Sequence, residues 1–258
     1  MITPFTTDSP LYHLPIATVA MIVVNVYAFL GPTVSALNSE PQRDEAQIVE
    51  DVINNQRFDF DDPYQKAIDP YILHYGVIRP WQWVTSNFIH ADFFHLLGNM
   101  IGLWGLGLIV EGKVGWWRFL LIVLGIGVTQ CAIEQVMTLG MEDGGSTGAS
   151  SIVYGLMAIC LLWAPTNQLE CVFWWGRGAW MFEVSVMFYC GIMMGLEIVM
   201  AWIGVQSGGL TITSSILHLM GVLIGAAIGL VMLKLDWVDC EQWDLFTVLA
   251  GRAGHRAR

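Results

Sequence analysis

The stretch Gly144-Gly-Ser-Thr-Gly-Ala-Ser-Ser-Ile-Val-Tyr-Gly-Leu156 changes from small residues to an apolar helical pattern at about Ser150. This change predicts that Ser150 lies where a loop enters the N-terminus of a helix. Such a position offers backbone N–H groups without helical partners and the positive end of the helix dipole. An oxyanion that forms there would be stabilised. A serine that only caps the helix, or small residues that only allow close packing, would produce the same stretch.

The composition is that of a helical membrane protein. Of the 258 residues, 55% are hydrophobic and only 13% are charged, whereas soluble domains carry about 25% charged residues. The net charge of −11 argues against a nucleic-acid partner, because phosphate binding needs a basic surface. The five cysteines have no metal-binding spacing, so we expect them to be buried and unreactive.

Six apolar segments predict an all-α membrane fold with six spanning helices. Their predicted bounds are 14–30, 93–110, 115–139, 150–165, 179–204 and 212–235. The first segment is about long enough to cross a bilayer, and no Lys or Arg precedes it, which favours a retained helix over a signal peptide. The predicted division is an N-terminal tail at 1–13, a six-helix membrane domain at 14–235 with a long acidic loop at 31–87, and a C-terminal tail at 236–258.

The basic residues of the short loops predict the orientation in the membrane. Lys or Arg follows the second, fourth and sixth segments, whereas the loops 140–149 and 205–211 carry neither. By the positive-inside rule both termini are expected in the cytoplasm. Ser150 is then expected on the extracytoplasmic side of the plasma (inner) membrane.

The sixth segment carries His218 near its extracytoplasmic end, at the depth expected for Ser150. An imidazole there can accept the serine proton and return it to a leaving amine. Gly221 lies on the helix face of His218, and Gly148 belongs to a comparable small-residue stripe, so the two backbones could approach closely. Tyr154, one turn after Ser150, could pack its ring against the imidazole. A hydrogen-bonded structural histidine and generic glycine packing would account for the same residues.

Polar residues also cluster at the start of the second segment. His95 and Asn99 are four residues apart and share a helix face, whereas His90 points elsewhere. A histidine ring N–H and an asparagine amide can both donate to a developing oxyanion. A metal site would need three or four ligands, and no cysteine or carboxylate has a suitable spacing. We therefore expect neither a metal nor another cofactor.

Four stretches together resemble the rhomboid family of intramembrane serine proteases. They are Trp81-Gln-Trp-Val-Thr-Ser-Asn-Phe-Ile-His90, His95-Leu-Leu-Gly-Asn99, Gly148-Ala-Ser150 and His218-Leu-Met-Gly221-Val-Leu-Ile-Gly225. The resemblance covers about residues 78–235 and implies a six-transmembrane-helix rhomboid-like bundle. It implies Ser150 as nucleophile and His218 as base, without a third acidic member. It also implies an oxyanion hole made of His95, Asn99 and the backbone N–H of Ser150.

The same resemblance implies supporting roles for other positions. Tyr154 would stack on the base, and His90 would be structural. Glu111 and Arg118 match polar positions that hold loops together. The fifth predicted helix and the loop before the sixth would move to admit substrate. Independently of the resemblance, the composition of the 205–209 loop suggests that Gly208 and Gly209 could act as a hinge.

Two positions depart from the family pattern. The pattern usually has glycine directly after the nucleophile, and here Ser151 stands there, which leaves open which of the two hydroxyls attacks. Ser150 is favoured because Gly148 and Tyr154 are then in register. Gln82 replaces an arginine that some members carry before the second helix, which removes a cation and touches no catalytic role.

The function predicted from the sequence is an intramembrane serine endopeptidase that cleaves a peptide bond in or near the transmembrane helix of other membrane proteins. Its partners would be these substrates and the lipid bilayer. The alternative is a catalytically inactive rhomboid-like protein that binds and escorts transmembrane clients. A small transporter is a third reading, but it would predict inverted repeats, and the sequence shows none.

Three acids remain within predicted helices. Glu134 and Glu183 are expected close to helix ends, and Glu197 lies deeper. Ionisable residues at membrane depth are costly, so Glu197 could serve a proton relay or line the space between helices. The acidic stretch 40–69 matches no motif.

Overall fold

The computed structural model describes residues 2–39, 63–141, 144–175, 178–208 and 212–253. In chain order the elements are β1 (Ile2–Thr7), α1 (Ile16–Ser39), α2 (Pro63–Ile68), β2 (Leu73–His74), α3 (Gln82–Thr85), α4 (Phe93–Val114), α5 (Trp116–Met137), β3 (Gly145–Ser146), α6 (Ser150–Trp163), β4 (Gln168–Trp175), β5 (Gly178–Ser185), α7 (Val186–Gly208), α8 (Ser214–Lys234) and α9 (Leu245–Leu249). Short 3-10 turns lie at Asp69–Tyr71 and Ser86–Phe88.

Five of the described helices, α1, α4, α5, α7 and α8, are long and apolar enough to cross a membrane. The remaining apolar helix, α6, corresponds to the fourth predicted segment and has 14 residues. It lies at the centre, where it packs against α4, α5, α7 and α8. It is apolar on all sides, as expected for a helix without a solvent-facing surface. These helices confirm the predicted helical membrane fold.

Helices α6 and α8 cross with their backbones in contact. A Cβ atom placed on Gly221 would lie 2.1 Å from the carbonyl oxygen of Ser151, and one on Gly225 would lie 2.2 Å from that of Gly155. Only hydrogen atoms fit between such backbones, so glycine is required at both positions. This crossing brings the beginning of α6 against the first turns of α8.

A three-stranded antiparallel sheet of order β1-β4-β5 follows the end of α6 that is remote from Ser150. The prediction that residues 1–13 form only a tail is therefore wrong, because Ile2–Thr7 is an outer strand of this sheet. The C-terminal segment predicted as a tail also contains structure, the short helix α9 capped by Asp244.

Strand β5 also corrects the predicted start of the fifth helix. The sequence predicts a helix from residue 179 because residues 179–185 are largely apolar, but these residues form a strand and the helix begins at Val186. Phe182 and Val184 pack on the core, whereas Met181 and Glu183 are exposed. This alternation has the period of a strand with one buried face.

Helix α1 continues past its predicted end at residue 30 and ends at Ser39, with Pro32 inside it. A proline removes one backbone donor, but in apolar surroundings no water replaces the remaining helical hydrogen bonds, so the helix persists. The Thr33 hydroxyl donates to the Phe29 carbonyl oxygen at 2.6 Å and supports this turn. Residues 40–62 of the acidic loop lie outside the described residues.

The N-terminus of α1 is capped from a distant helix. Glu111 on α4 is fully buried. Its carboxylate accepts the backbone N–H groups of Ala17 and Thr18 at 2.8 and 2.7 Å and the Thr18 hydroxyl at 2.7 Å. An anion at a helix N-terminus is stabilised by the dipole and by the unpaired N–H groups.

Arg118 connects α5 to the segment that follows α8, since its guanidinium donates to the Trp237 carbonyl oxygen at 3.4 Å.

Replacing Glu111 by glutamine is expected to destabilise the bundle by about 2 kcal/mol, because charged hydrogen bonds are lost and one amide N–H₂ faces donors. Unfolding in mixed micelles with increasing SDS measures the change. Glu183→Gln on the exposed face of β5 is the matched control and should unfold as the unaltered protein does. Equal stability of the Glu111 and Glu183 variants would contradict the capping role.

Candidate active site

The loop before α6 is held by the segment that precedes α4. Strands β2 and β3 pair across Leu73 and Ser146, and Gly148 N–H donates to the Ser86 carbonyl oxygen at 2.9 Å. Gly148 has a φ of +112°, which only glycine adopts readily. The chain therefore enters α6 by a tight, fixed turn with Ser150 as the first helical residue.

Ser150 and His218 lie side by side. His218 Nε2 is 2.9 Å from Ser150 Oγ, and the Tyr154 ring stacks on the imidazole with centroids 4.4 Å apart and planes 16° apart. The neighbouring hydroxyl of Ser151 is turned away and donates to the Leu217 carbonyl oxygen at 3.3 Å. Of the two serine hydroxyls left open by the sequence, the one against the imidazole is therefore that of Ser150.

Two side-chain donors face the same turn from α4. A Cβ atom on Gly148 would lie 2.7 Å from His95 Nε2 and 3.5 Å from Asn99 Nδ2, so both nitrogens lie beside the Gly148 backbone. Asn99 Nδ2 is buried and has no hydrogen-bond partner within the described part of the chain. The first backbone bond of α6 runs from Val153 N to the Ala149 carbonyl oxygen, so the Ser150 N–H has no helical acceptor.

His90 lies behind His95 rather than in the turn. It is fully buried, and its ring meets that of His95 edge to face at a centroid distance of 5.1 Å. Burial, followed by the neighbouring His95, lowers the pKa of His90 to about 4. A neutral, packed His90 limits the rotation of the His95 ring.

These groups share one cavity of about 720 Å³ between α4, α5, α6, α7 and α8. Its lining includes the side chains of Ser150, His218, His95 and Asn99, with Gln130 from α5 and Met193 from α7. A hydroxyl against an imidazole, with unpaired N–H donors beside it, can attack a carbonyl and stabilise the resulting oxyanion. Among the residues that the structure describes, no group of three His, Cys, Asp or Glu could hold a metal ion.

The family model of the Rhomboid domain matches residues 78–235. The chain belongs to the rhomboid family. The resemblance seen in four short stretches is thereby confirmed. Together with five apolar helices of spanning length, membership makes this rhomboid an integral membrane protein.

Curated relatives of this rhomboid include proteins named as proteases. Rhomboid-like protein 11, chloroplastic, of Arabidopsis thaliana is 27% identical over 183 residues, 69% of this chain and 61% of the relative. Rhomboid protease GluP of Bacillus subtilis is 32% identical over 88 residues, 34% of this chain and 17% of GluP. Rhomboid protease GlpG of Yersinia pestis is 29% identical over 80 residues, 31% of this chain and 27% of GlpG. The chain thus spans less than two thirds of each of these relatives.

The three acids that the sequence places within predicted helices lie in different surroundings in this rhomboid. Glu183 is on a strand and not in a helix, which corrects its assignment. Glu134, near the end of α5, accepts the Tyr75 hydroxyl at 2.9 Å and the Gln130 amide at 2.6 Å. Glu197 lies 3.0 Å from His218 Nδ1. The sequence indicates that Glu197 lies deep in a span but does not predict this contact, although a charge at that depth in an apolar segment is a signal.

Proposed function

We propose that this rhomboid is an intramembrane serine endopeptidase that uses Ser150 as nucleophile and His218 as general base. Its substrates are membrane proteins, cleaved in or near a transmembrane helix. The observation that carries the proposal is the 2.9 Å approach of His218 Nε2 to Ser150 Oγ. The Asn99 Nδ2 group beside the same turn, which has no hydrogen-bond partner among the described residues, supports a catalytic rather than a structural pairing.

The proposed reaction begins with attack of Ser150 Oγ on the scissile carbonyl while His218 Nε2 accepts the hydroxyl proton. The carbonyl oxygen becomes an oxyanion, which accepts hydrogen bonds from Asn99, His95 and the Ser150 backbone N–H. His218 then protonates the leaving amine, and a water molecule hydrolyses the acyl-enzyme by the same steps. Because Gly148 lacks a side chain, the donors and the nucleophile can surround one carbonyl.

The length of α6 supports a site below the membrane surface. Its 14 residues extend about 21 Å, whereas the apolar core of a bilayer is about 30 Å thick. If α6 crosses the membrane as the fourth of the six predicted segments, its first residue is recessed by several ångströms from the surface. We place both termini in the cytoplasm of a plasma (inner) membrane protein, so that the cavity opens to the extracytoplasmic side.

A substrate helix must expose its scissile carbonyl before it can react. In a membrane every helical carbonyl is hydrogen-bonded within the helix. Glycine or proline near the cleavage point lowers the cost of local unfolding. Substrates with such residues near the outer membrane face should therefore be cleaved fastest.

A reconstituted assay tests the proposal. The protein in liposomes should cleave a model transmembrane substrate that carries a helix-destabilising segment, and pretreatment with a fluorophosphonate should stop cleavage. Mass spectrometry should locate the phosphonyl adduct on Ser150. Binding of the substrate without cleavage would favour the client-escort alternative, and an adduct confined to another serine would reject the assigned nucleophile.

A further inference from the structure

Glu197 is the only charged residue of helix α7. Most of this helix is exposed at the bundle surface, and its neighbours Ile198 and Val199 have exposed fractions of 59% and 52%. The Glu197 side chain instead turns inward and is only 14% exposed. An acid in an apolar segment is costly to maintain, so its inward position requires partners that stabilise it.

Those partners belong to the catalytic pair and its support. Glu197 Oε1 lies 3.0 Å from His218 Nδ1 and accepts the Tyr154 hydroxyl at 2.6 Å. The Ser215 side chain, three residues before His218 on α8, also interacts with this carboxylate. The carboxylate is therefore held by groups from α6 and α8, and it lies on the side of the imidazole opposite to Ser150.

The contact with His218 is short but not linear. The N–H bond of Nδ1 points off the line to Oε1, and Nδ1 has no hydrogen-bond partner of good geometry among the described residues. We attribute the offset to Tyr154, whose hydroxyl draws the same oxygen toward the plane of the stacked tyrosine ring.

We propose that Glu197 is a positioning residue that completes a Ser150–His218–Glu197 triad. The inference rests on the proposed function and departs from the dyad that the family resemblance implies. An acceptor beside Nδ1 keeps the ring proton there, so that Nε2 is free to accept the proton of Ser150. When Nε2 takes that proton, the carboxylate remains ionised and stabilises the imidazolium until the leaving amine is protonated.

The triad predicts a specific pH response. Within the described residues, the titratable groups that face His218 are Glu197 from α7, Tyr154 from α6 and His95 from α4. Of these, only the carboxylate favours a protonated imidazole by its negative charge. Removing that charge should move the acidic limb of the kcat/KM profile to lower pH, while a purely structural contact would leave the limb in place.

The experiment compares Glu197→Gln with the unaltered protein in the liposome cleavage assay. The amide should lower kcat about 100-fold with little change in KM, which lies within the usual range for loss of acid–base assistance. The midpoint of the acidic limb should move down by about one pH unit. Glu183→Gln on β5 makes the same chemical change outside the site and should leave all three quantities unchanged.

The possible outcomes distinguish failure of the triad proposal from failure of the proposed function. Unchanged kcat in Glu197→Gln would overturn the triad. A lower kcat accompanied by a raised KM and an unmoved acidic limb would also overturn it, because that result would indicate only a structural contact between helices. Cleavage that survives Ser150→Ala would instead reject the proposed function itself. If Glu197→Gln does not fold, Glu197→Asp retains the charge at a longer distance. It should lower kcat about 10-fold, and unaltered kcat there would also overturn the triad.

Discussion

Ser150→Ala is expected to lower kcat/KM for a transmembrane substrate by about 10⁶-fold, the scale seen when a serine nucleophile is removed from a protease that acts through a serine and a histidine. The hydroxyl that approaches His218 Nε2 at 2.9 Å would be lost, and no other hydroxyl or thiol of the described residues hydrogen-bonds to this imidazole nitrogen. The measurement is the initial rate of substrate cleavage in liposomes, together with the extent of fluorophosphonate labelling. Both should fall to background.

Ser151→Ala is the matched control for this change. The Ser151 hydroxyl donates to the Leu217 carbonyl oxygen, so its loss should cost about 1 kcal/mol of stability and leave most of the activity. If Ser151→Ala is inactive while Ser150→Ala still cleaves, the roles of the two serines are reversed.

Gly221→Ala is expected to reduce cleavage by at least about 100-fold, because a misplacement of about 1 Å at a reacting group has an effect of this size. The new methyl group would lie 2.1 Å from the Ser151 carbonyl oxygen, which belongs to the backbone and cannot rotate away. Helices α6 and α8 would have to separate, and Ser150 and His218 would separate with them. Overpacking at this contact should also destabilise the protein by about 3 kcal/mol.

Gly191→Ala provides the control for the effect of an added methyl group. A Cβ atom on Gly191 meets nothing within 4 Å, and alanine favours a helix more than glycine does. This variant should retain both activity and stability. Normal cleavage by Gly221→Ala would show that the crossing tolerates separation, contrary to the packing described above.

The spanning helices could be predicted because a membrane span needs only a local property, a continuous apolar run. The predicted starts at 93, 115 and 150 lie within one residue of the observed starts at Phe93, Trp116 and Ser150. The site residues were found by the same kind of local signal, since a polar residue in an apolar run is conspicuous. The expected depth of each polar residue in the membrane then indicated which of these side chains could come into contact.

The three-stranded sheet could not be predicted in the same way, because its outer strand β1 comes from a distant part of the chain. Thr7 of β1 pairs with Leu169 of β4, whereas β4 and β5 form a local hairpin. The residues of β5 are apolar enough to extend the following helix, and only the alternation of Phe182 and Val184 with exposed neighbours indicated a strand. Whether such a run becomes a strand or a helix also depends on the rest of the sheet, and the partner β1 lies in no local window.

The contact between Glu197 and His218 was missed for a related reason. The sequence shows that Glu197 lies deep in a span, but it does not show how α7 is rotated about its axis. A rotation of half a turn would place the carboxylate toward lipid rather than toward Nδ1. The rotation of α7 about its axis is determined by its packing on α6 and α8, which brings Tyr154 and Ser215 to the same carboxylate.

The Glu111 cap has a consequence for how the protein is assembled during synthesis. The amides of Ala17 and Thr18 leave the ribosome about 94 residues ahead of the carboxylate that they bind. Until α4 has been translated, the first turn of α1 must satisfy these groups with water or lipid headgroups. Helix α1 is thus inserted first, but it acquires its final neighbour only when a later helix supplies the missing acceptor.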